Sequence, residues 1–187
     1  MKRIHRHGTP WYVPPTPPDV ALFACRSCGT VLTGPLRRLD DAAALGIKEL
    51  DPLVPAGRYW PVSAGHLPST SSEGVVVDFT GHFAVRSEDL ICVGDHPDLR
   101  RWIGCCGPSG TNGPNRVCSC GQAVGTERSD CMWPAAVYLD PTGVRVMQQD
   151  AASMQWVRLC LTPLEDDRQT IVRHSLTYRI AIASAST

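Results

Sequence analysis

The residues with the clearest chemical potential in this chain are its nine cysteines, five of which lie between Cys105 and Cys131. Two more lie far upstream, in the segment Phe-Ala-Cys25-Arg-Ser-Cys28-Gly. Short turns that carry two cysteines and end in glycine are a common way for a protein to hold one zinc ion. The spacing therefore predicts a metal site built from two distant parts of the chain.

The first Cys turn is Cys25-x-x-Cys28-Gly29, and it follows an apolar run that predicts a strand from Val20 to Ala24. Two thiolates separated by a tight turn can point at one ion, and glycine accepts the backbone angles of that turn. The alternative is a redox dithiol, in which a helix opening near the second cysteine lowers a thiol pKa. The glycine and the β-branched residues after it disfavour such a helix, so we interpret the turn as metal-binding.

The second Cys turn is Cys118-Ser-Cys120-Gly121, one residue shorter than the usual form. Side chains alternate across an extended strand, so the backbone must bend for both sulfurs to reach one ion. Together with Cys25 and Cys28, this pair would complete four thiolates around a closed, structural zinc site with no room for water. A redox or free-thiol role for the same cysteines is the alternative.

Three cysteines of the same region remain, namely Cys105, Cys106 and Cys131. Adjacent cysteines tend to point in different directions, so the pattern disfavours a second site in which both bind one ion. Two alternatives stay open: one of the three replaces Cys118 or Cys120, or they join a histidine in a second zinc site. The glycine-rich loop after Cys106 does not have the spacing of a phosphate-binding loop.

Other chemically capable residues are predicted to be structural. Cys92 and Cys160 lie inside apolar runs and are predicted to be buried. Arg128 and Asp130 are interpreted as loop charges that pair with each other or line a pocket, or more commonly stay exposed. Three histidines beside turns are each weak metal candidates: His66, His82 and His96. Four tryptophans form a ligand cage or, more commonly, pack in the core: Trp60, Trp102, Trp133 and Trp156.

The elements that must position these residues are predicted to be mainly β. The chain has 16 glycines and 16 prolines, which break its apolar runs into pieces that suit strands and turns. One short helix is predicted at 41–50 and a Ser-rich loop at 69–72. The predicted strands are 20–24, 59–62, 74–79, 90–93, 135–139, 144–147, 155–161 and 170–183.

Length and composition indicate one β-rich zinc-binding domain over residues 19–187, preceded by a flexible Pro-rich arm at 1–18. The chain of 187 residues has 18 basic and 18 acidic side chains, a balance that disfavours nucleic acid and anionic membranes as partners. No signal peptide and no run of about 20 apolar residues is present, so we expect a cytoplasmic protein. Paired cysteines in that compartment are more often metal ligands than disulfides.

The motifs resemble those of a set of uncharacterised bacterial proteins that carry the same Cys signature. That signature comprises the first Cys turn, then Gly-Cys-Cys-Gly at 104–107, Gly-Pro-Asn at 113–115, the second Cys turn, and Glu-Arg-Ser-Asp-Cys at 127–131. Two Cys turns separated by a long β-rich insert also resemble the β-tent zinc proteins, which include methionine-R-sulfoxide reductases and the thalidomide-binding domain of cereblon. That resemblance implies structural zinc ligands at Cys25, Cys28, Cys118 and Cys120.

The departures from the β-tent pattern bear on function. Gly125 precedes Thr126, where the cereblon-like branch has a Gly-Trp pair, so the aromatic cage is in doubt. The C-terminal run 178–181 lacks the nucleophilic cysteine of the reductases. A zinc-ribbon-like arrangement is the other fold that the two Cys turns predict.

Three functions are consistent with these features. The first is a non-catalytic zinc-binding domain that recognises a protein or a small ligand through exposed loops. The second is a zinc- or thiol-dependent enzyme that uses Cys105, Cys106 or Cys131. The third, nucleic-acid binding, is disfavoured by the zero net charge.

Overall fold

A computed structural model of the chain describes residues 17–41, 51–63, 69–70, 76–149 and 155–158. In this part of the chain the fold is mainly β, which confirms the predicted fold class. It contains twelve strands and two 3-10 helices, Ser87–Asp89 and Leu99–Trp102. No helix of the described residues is both long enough and apolar enough to cross a membrane.

The strands are short. In chain order they are β1 Val20–Cys25, β2 Leu36–Arg38, β3 Arg58–Pro61, β4 Ser69–Thr70, β5 Val76–Val77, β6 Phe83–Val85, β7 Val93–Asp95, β8 Arg116–Cys118, β9 Ala123–Arg128, β10 Ala136–Leu139, β11 Val144–Gln149 and β12 Trp156–Arg158. Ten of them form one sheet in the order β12-β11-β1-β2-β3-β6-β10-β9-β8-β7, while β4 pairs with β5 alone. Within the large sheet only β2 and β3 run parallel.

The sheet curls around a core, and strands that are far apart in the sheet order contribute side chains to it. Phe23 of β1, Phe83 of β6 and Val124 of β9 belong to one buried cluster, and the rings of Phe23 and Phe83 lie 5.1 Å apart between centroids. Alternate residues of β3, β6 and β10 belong to a second cluster, where Phe79 stacks on Tyr138, and alternate residues of β1 belong to a third cluster with Met147. Alternating residues of these strands therefore contribute to apolar clusters on opposite faces of the sheet.

A backbone seam closes the curl beside the first Cys turn. Thr33 forms an isolated bridge with Leu90, and the Ile91 amide donates to the Leu32 carbonyl at 2.8 Å. The Ser119 amide donates to the Cys92 carbonyl at 3.2 Å. The chain after the first Cys turn is thereby joined to the chain that leads into β7 and to the second Cys turn.

The structure confirms the predicted strands at the start of the chain, around residue 60 and at 135–147. The strand predicted at 90–93 lies later, at Val93–Asp95, after a 3-10 turn. Residues 69–70, predicted as loop, pair with residues 76–77 as a strand. The second Cys turn lies between β8 and β9, two strands that the polar sequence around it did not predict.

Several predictions fall on parts of the chain outside the described residues: the helix at 41–50 except its first residue, the strand at 170–183, Cys160 and His66. The Pro-rich arm lies outside them too, apart from its last two residues. Those two are held: the Pro17 carbonyl accepts a 2.7 Å hydrogen bond from Arg38 Nη1, and the Pro18 carbonyl accepts one from the Tyr59 hydroxyl. The described end of the arm therefore belongs to the folded part of the protein.

Candidate metal centre

The first Cys turn begins where β1 ends. The Gly29 amide donates to the Cys25 carbonyl at 3.0 Å, and the Cys25 amide donates to the Thr30 carbonyl at 2.7 Å. Gly29 has φ +79°, a left-handed conformation that side chains disfavour. The turn therefore returns the chain sharply and sets Cys28 beside Cys25.

In the second Cys turn, a bend of the backbone brings together two cysteines that are only two positions apart. Cys118 ends β8, and the Gly121 amide donates to its carbonyl at 2.8 Å, which bends the backbone between the two cysteines. Gly121 has φ +86°. The Cys118 amide then donates to the Gln122 carbonyl at 2.8 Å, so the turn leads directly into β9. Because the chain is not extended here, the side chains of Cys118 and Cys120 reach the same point.

The two turns meet, and we call their four cysteines, Cys25, Cys28, Cys118 and Cys120, the knuckle centre. All four Sγ atoms lie within 4.8 Å of one another. The Cys25 and Cys120 sulfurs are 3.7 Å apart, and the Cys28 and Cys118 sulfurs are 3.6 Å apart, from residues 90 positions apart in the chain. A tetrahedral ion with bonds of about 2.3 Å places its sulfurs about 3.8 Å apart, whereas a disulfide needs about 2.05 Å.

The four thiols differ in environment. Cys25 and Cys118 are buried among core side chains, whereas Cys28 and Cys120 are exposed. Burial raises the pKa of Cys25 to about 12. The Thr30 hydroxyl, 3.1 Å from the Cys28 sulfur, lowers the pKa of Cys28 to about 6. One half of the knuckle centre is therefore set in the apolar core and the other half faces solvent.

The knuckle centre can hold a metal ion. No family model matches this chain, and neither a curated protein nor a solved structure matches it. The chemistry of the donors then indicates which ion fits. Four thiolate sulfurs at tetrahedral distances suit zinc or iron, and they do not suit the hard cations that prefer oxygen ligands.

The remaining cysteines of the region also meet, and we call Cys105, Cys106 and Cys131 the three-thiol cluster. Their Sγ atoms lie within 4.8 Å of one another, and the Cys105 and Cys106 sulfurs are 3.9 Å apart. The expectation that two adjacent cysteines would point apart is therefore wrong for this pair. None of the three takes the place of Cys118 or Cys120 in the knuckle centre.

Tight packing of the loop explains why adjacent thiols converge. A Cβ atom on Gly104 would lie 1.8 Å from the Gly107 carbonyl oxygen, and one on Gly107 would lie 2.6 Å from Ser129 Oγ. The Ser129 amide also donates to the Pro108 carbonyl at 3.0 Å. The glycines on either side of the two cysteines thus let the loop fold onto the end of β9, next to Cys131.

The carboxylate of Asp130 contacts two of the three cysteines of the three-thiol cluster. It is 8 % exposed, and its carboxylate accepts hydrogen bonds from the Cys105 amide at 3.0 Å and the Met132 amide at 3.3 Å. The Cys131 thiol lies 3.3 Å from the same carboxylate. The amide of Cys105 holds the pKa of Asp130 below its usual range. Asp130 was predicted to be an exposed loop charge, and it is instead buried and accepts backbone hydrogen bonds.

The neighbours of Cys131 disfavour its thiolate form. Hydrogen bonds to the Cys106 thiol, to the Asp130 carboxylate and to the Cys105 thiol raise its pKa to about 12. Catalytic cysteines have lowered pKa values, because a nearby positive charge or helix N-terminus stabilises the thiolate. In the absence of a cation, these neighbours disfavour loss of the Cys131 proton.

Other predicted site residues lie elsewhere. Arg128 is 1 % exposed, and its guanidinium stacks 3.8 Å from the centroid of Trp133. The guanidinium of Arg116 lies over the ring of Trp102 in the same way. Trp60 and Trp156 belong to two different apolar clusters. The four tryptophans therefore do not form one cage.

The described histidines and Cys92 lie outside both cysteine groups. His82 contacts the Phe79 ring edge-on, and His96 Nδ1 accepts a hydrogen bond from the Asp98 amide at 3.0 Å. Cys92 is exposed rather than buried, since its φ of 55° turns the chain between the seam and β7. The prediction that Cys92 packs in the core is wrong.

Proposed function

We propose that the protein is a non-catalytic zinc-binding domain in which the knuckle centre is a structural four-cysteine site. The observation that carries the proposal is the convergence of four sulfurs, within 4.8 Å of one another, from two turns far apart in the sequence. Each turn follows a sheet strand, so an ion shared by the turns ties those strands together. Structural zinc sites contribute directly to folding free energy in this way.

Zinc fits the donors better than other common ions. Thiolate ligands in a tetrahedral arrangement select zinc or an iron–sulfur group, and a single ion needs no additional sulfide. Four protein sulfurs fill the coordination sphere, so no position is left for a reacting water. The knuckle centre therefore serves structure and does not serve hydrolysis.

Recognition of a protein or a small ligand is assigned to the exposed loops. Four large apolar side chains of the described residues face solvent. Leu99, in the second 3-10 helix, is 80 % exposed, and Ile91, Ile103 and Met132, in loops, are 48 %, 60 % and 64 % exposed. Exposed apolar groups of this kind are typical of contact surfaces when they occur together. The zero net charge supports a partner other than nucleic acid or membrane.

The enzyme hypothesis would depend on the three-thiol cluster. The raised pKa of Cys131 argues against this thiol as a nucleophile. The resemblance to the β-tent zinc proteins supports the zinc assignment through the two Cys turns alone, whereas the resemblance to the bacterial Cys-signature proteins implies no activity. Free cysteines at both groups suit a reducing compartment, so we place the protein in the cytoplasm.

Metal analysis of the purified full-length protein tests the proposal. In the Cys106→Ser variant, which lacks one thiol of the three-thiol cluster, X-ray absorption at the zinc edge is expected to show an ion surrounded by four sulfurs at about 2.3 Å. Adding Cys28→Ser to that variant is expected to reduce the sulfur count. A protein purified without zinc that also fails to bind added zinc would contradict the assignment. Iron in place of zinc, with acid-labile sulfide, would contradict the identity of the metal.

A further inference from the structure

We propose that the three-thiol cluster is a second metal site of a different kind, which binds one thiophilic divalent cation such as Zn²⁺ or Cd²⁺ through three thiolates. Its fourth coordination position is open to an exogenous ligand. The inference is independent of the knuckle centre, with which the cluster shares no residue.

The number and spacing of the sulfurs favour a cation over a disulfide. A disulfide joins two thiols and would leave the third without a role, whereas one ion uses all three. The Cys105 and Cys106 sulfurs are 3.9 Å apart, close to the separation of about 3.8 Å that two ligands have in a tetrahedral zinc site. All three sulfurs lie within 4.8 Å of one another.

The site is organised before any ion arrives. Asp130 fixes the Cys105 backbone through its amide and lies 3.3 Å from the Cys131 sulfur, so one carboxylate positions two of the three ligands. Carboxylates that hold metal ligands in place are a general feature of metal sites. The close contacts at Gly104 and Gly107 restrict the loop that carries Cys105 and Cys106. Little of the binding free energy is therefore needed to order the ligands.

Exposure distinguishes this site from the knuckle centre. Cys105 and Cys106 are exposed and Cys131 is half-buried. Among the described residues, no fourth His, Cys, Asp or Glu donor atom lies within 4.8 Å of all three sulfurs. A tetrahedral ion would therefore keep one position toward solvent. Ile103 and Met132, both largely exposed, flank the cluster along the chain and would lie near an incoming ligand.

Charge decides what such a site can do. Binding forms three bonds between sulfur and the metal, and the three thiol protons pass to solvent. Three thiolates outweigh the two positive charges of the ion, and the nearby Asp130 adds another negative charge. An ion with that surplus does little to acidify a bound water. The site is therefore suited to reversible binding of the ion and to a soft fourth ligand such as a thiol, and it is not suited to hydrolysis.

Titration of the metal-free, full-length protein with Cd²⁺ tests the second site, with thiolate-to-metal charge-transfer absorption as the readout. Wild type is expected to bind two equivalents, whereas Cys106→Ser and Cys131→Ser are each expected to bind one. Cys92→Ser is the matched control, because it removes an exposed cysteine outside both groups, and it is expected to bind two. Cys106 is exposed, so its substitution leaves the core intact.

The outcomes separate this proposal from the structural role of the knuckle centre. If wild type binds one equivalent and Cys106→Ser binds the same one, the second site is refuted and the knuckle centre is unaffected. If Cys28→Ser loses no equivalent while Cys106→Ser loses one, the proposed structural site fails and the second site stands. A Cys106–Cys131 disulfide that persists in protein purified under reducing conditions would also refute the second site.

Two further measurements test the organisation of the cluster. Asp130→Asn removes the charge but keeps an acceptor for the Cys105 amide, and it is expected to weaken Cd²⁺ binding at the second site about tenfold. The open position is tested by adding 2-mercaptoethanol to the protein loaded with Co²⁺, whose visible absorption responds to its ligands. A spectral change in wild type that is lost in Cys131→Ser supports an open position. An unchanged wild-type spectrum overturns it.

Discussion

The cysteines of the knuckle centre differ in burial, and this difference decides which substitutions report on the metal. Cys25 is fully buried and Cys118 is 2 % exposed, and both belong to the main apolar core. Their replacement would remove packing as well as a ligand. Cys28 and Cys120 contact solvent, so their replacement removes a ligand with little loss of core packing.

We therefore expect Cys28→Ser and Cys120→Ser to abolish the stabilisation by zinc at the knuckle centre. Where free zinc is about 1,000-fold above the dissociation constant, this loss amounts to about 4 kcal/mol. Urea unfolding with and without zinc measures it. Cys92→Ser, at an exposed cysteine outside the centre, should retain the full response to zinc. An equal response in Cys28→Ser and wild type would show that Cys28 is not a ligand.

His82 gives a prediction about pH. Burial lowers its pKa below the usual value, and its Nδ1 has no hydrogen-bond partner. In the unfolded chain the imidazole takes up a proton near pH 6.5, whereas in the folded protein it resists protonation. The unfolded state therefore binds more protons as the pH falls, and stability is lost below about pH 6.5.

His82→Phe is expected to reduce this pH dependence, since phenylalanine keeps the ring contact with Phe79 and does not titrate. The effect is at most about 1.4 kcal/mol per pH unit. The free energy of unfolding, measured between about pH 7 and pH 5, should fall less steeply in the variant. Acid effects on the thiolates are common to both proteins and cancel in the comparison. Identical slopes would contradict the role of His82.

At the scale of elements, the second Cys turn shows how a short spacing is made to work. The bend between β8 and β9 depends on Gly121, whose φ is +86° and whose surroundings leave room for a Cβ atom. A side chain there would meet no steric contact and would strain only the backbone. A substitution at Gly121 therefore reports the free-energy cost of the backbone conformation without a contribution from side-chain packing.

Gly121→Ala is expected to lower the free energy of unfolding by about 1–2 kcal/mol. It should also weaken zinc binding, because the turn orients Cys118 and Cys120. Gly34→Ala is the matched control, since Gly34 also has open space around it but lacks a positive φ. We expect no loss of stability in the control. Chemical unfolding and zinc competition assays measure both effects, and equal values for the two variants would show that the turn is not strained.

At the scale of the whole molecule, the knuckle centre links β1 and β8, the third and ninth strands in the order of the ten-stranded sheet. An ion shared between their turns, as proposed above, would therefore close the curl of the sheet. The backbone seam between Leu32 and Ile91 also requires these two parts of the sheet to lie close together. On that proposal, the ion and the seam would together keep the two parts of the sheet around one core.

Removal of the metal is therefore expected to open the seam before the sheet interior unfolds. A strong chelator should increase hydrogen exchange at the Ile91 and Ser119 amides, which donate across the seam. Amides between β9 and β10, in the sheet interior, should stay protected. Cys28→Ser should show fast exchange at the seam without chelator. Uniform exchange across the sheet would argue against local opening.

The sequence by itself determined the β-rich class, the two Cys turns and the glycines that end them. These are local properties, because a turn of a few residues is set by its own side chains and backbone angles. Strands with a clear apolar run, such as β1, were equally predictable. The polar strands β8 and β9 were not, since their formation depends on neighbours in the sheet and not on their own pattern.

The two Cys turns predicted which four cysteines could share an ion, but only the tertiary structure brought them together and formed the second cysteine group. The two Cys turns are joined by the curl of the sheet, and the three-thiol cluster is formed by a loop that folds onto β9 at Ser129. Burial of Asp130 beneath that loop reversed its expected exposure, and the seam left Cys92 exposed. Each outcome depends on contacts between residues distant in the chain, and such contacts follow from packing of the whole sheet, which no local spacing encodes.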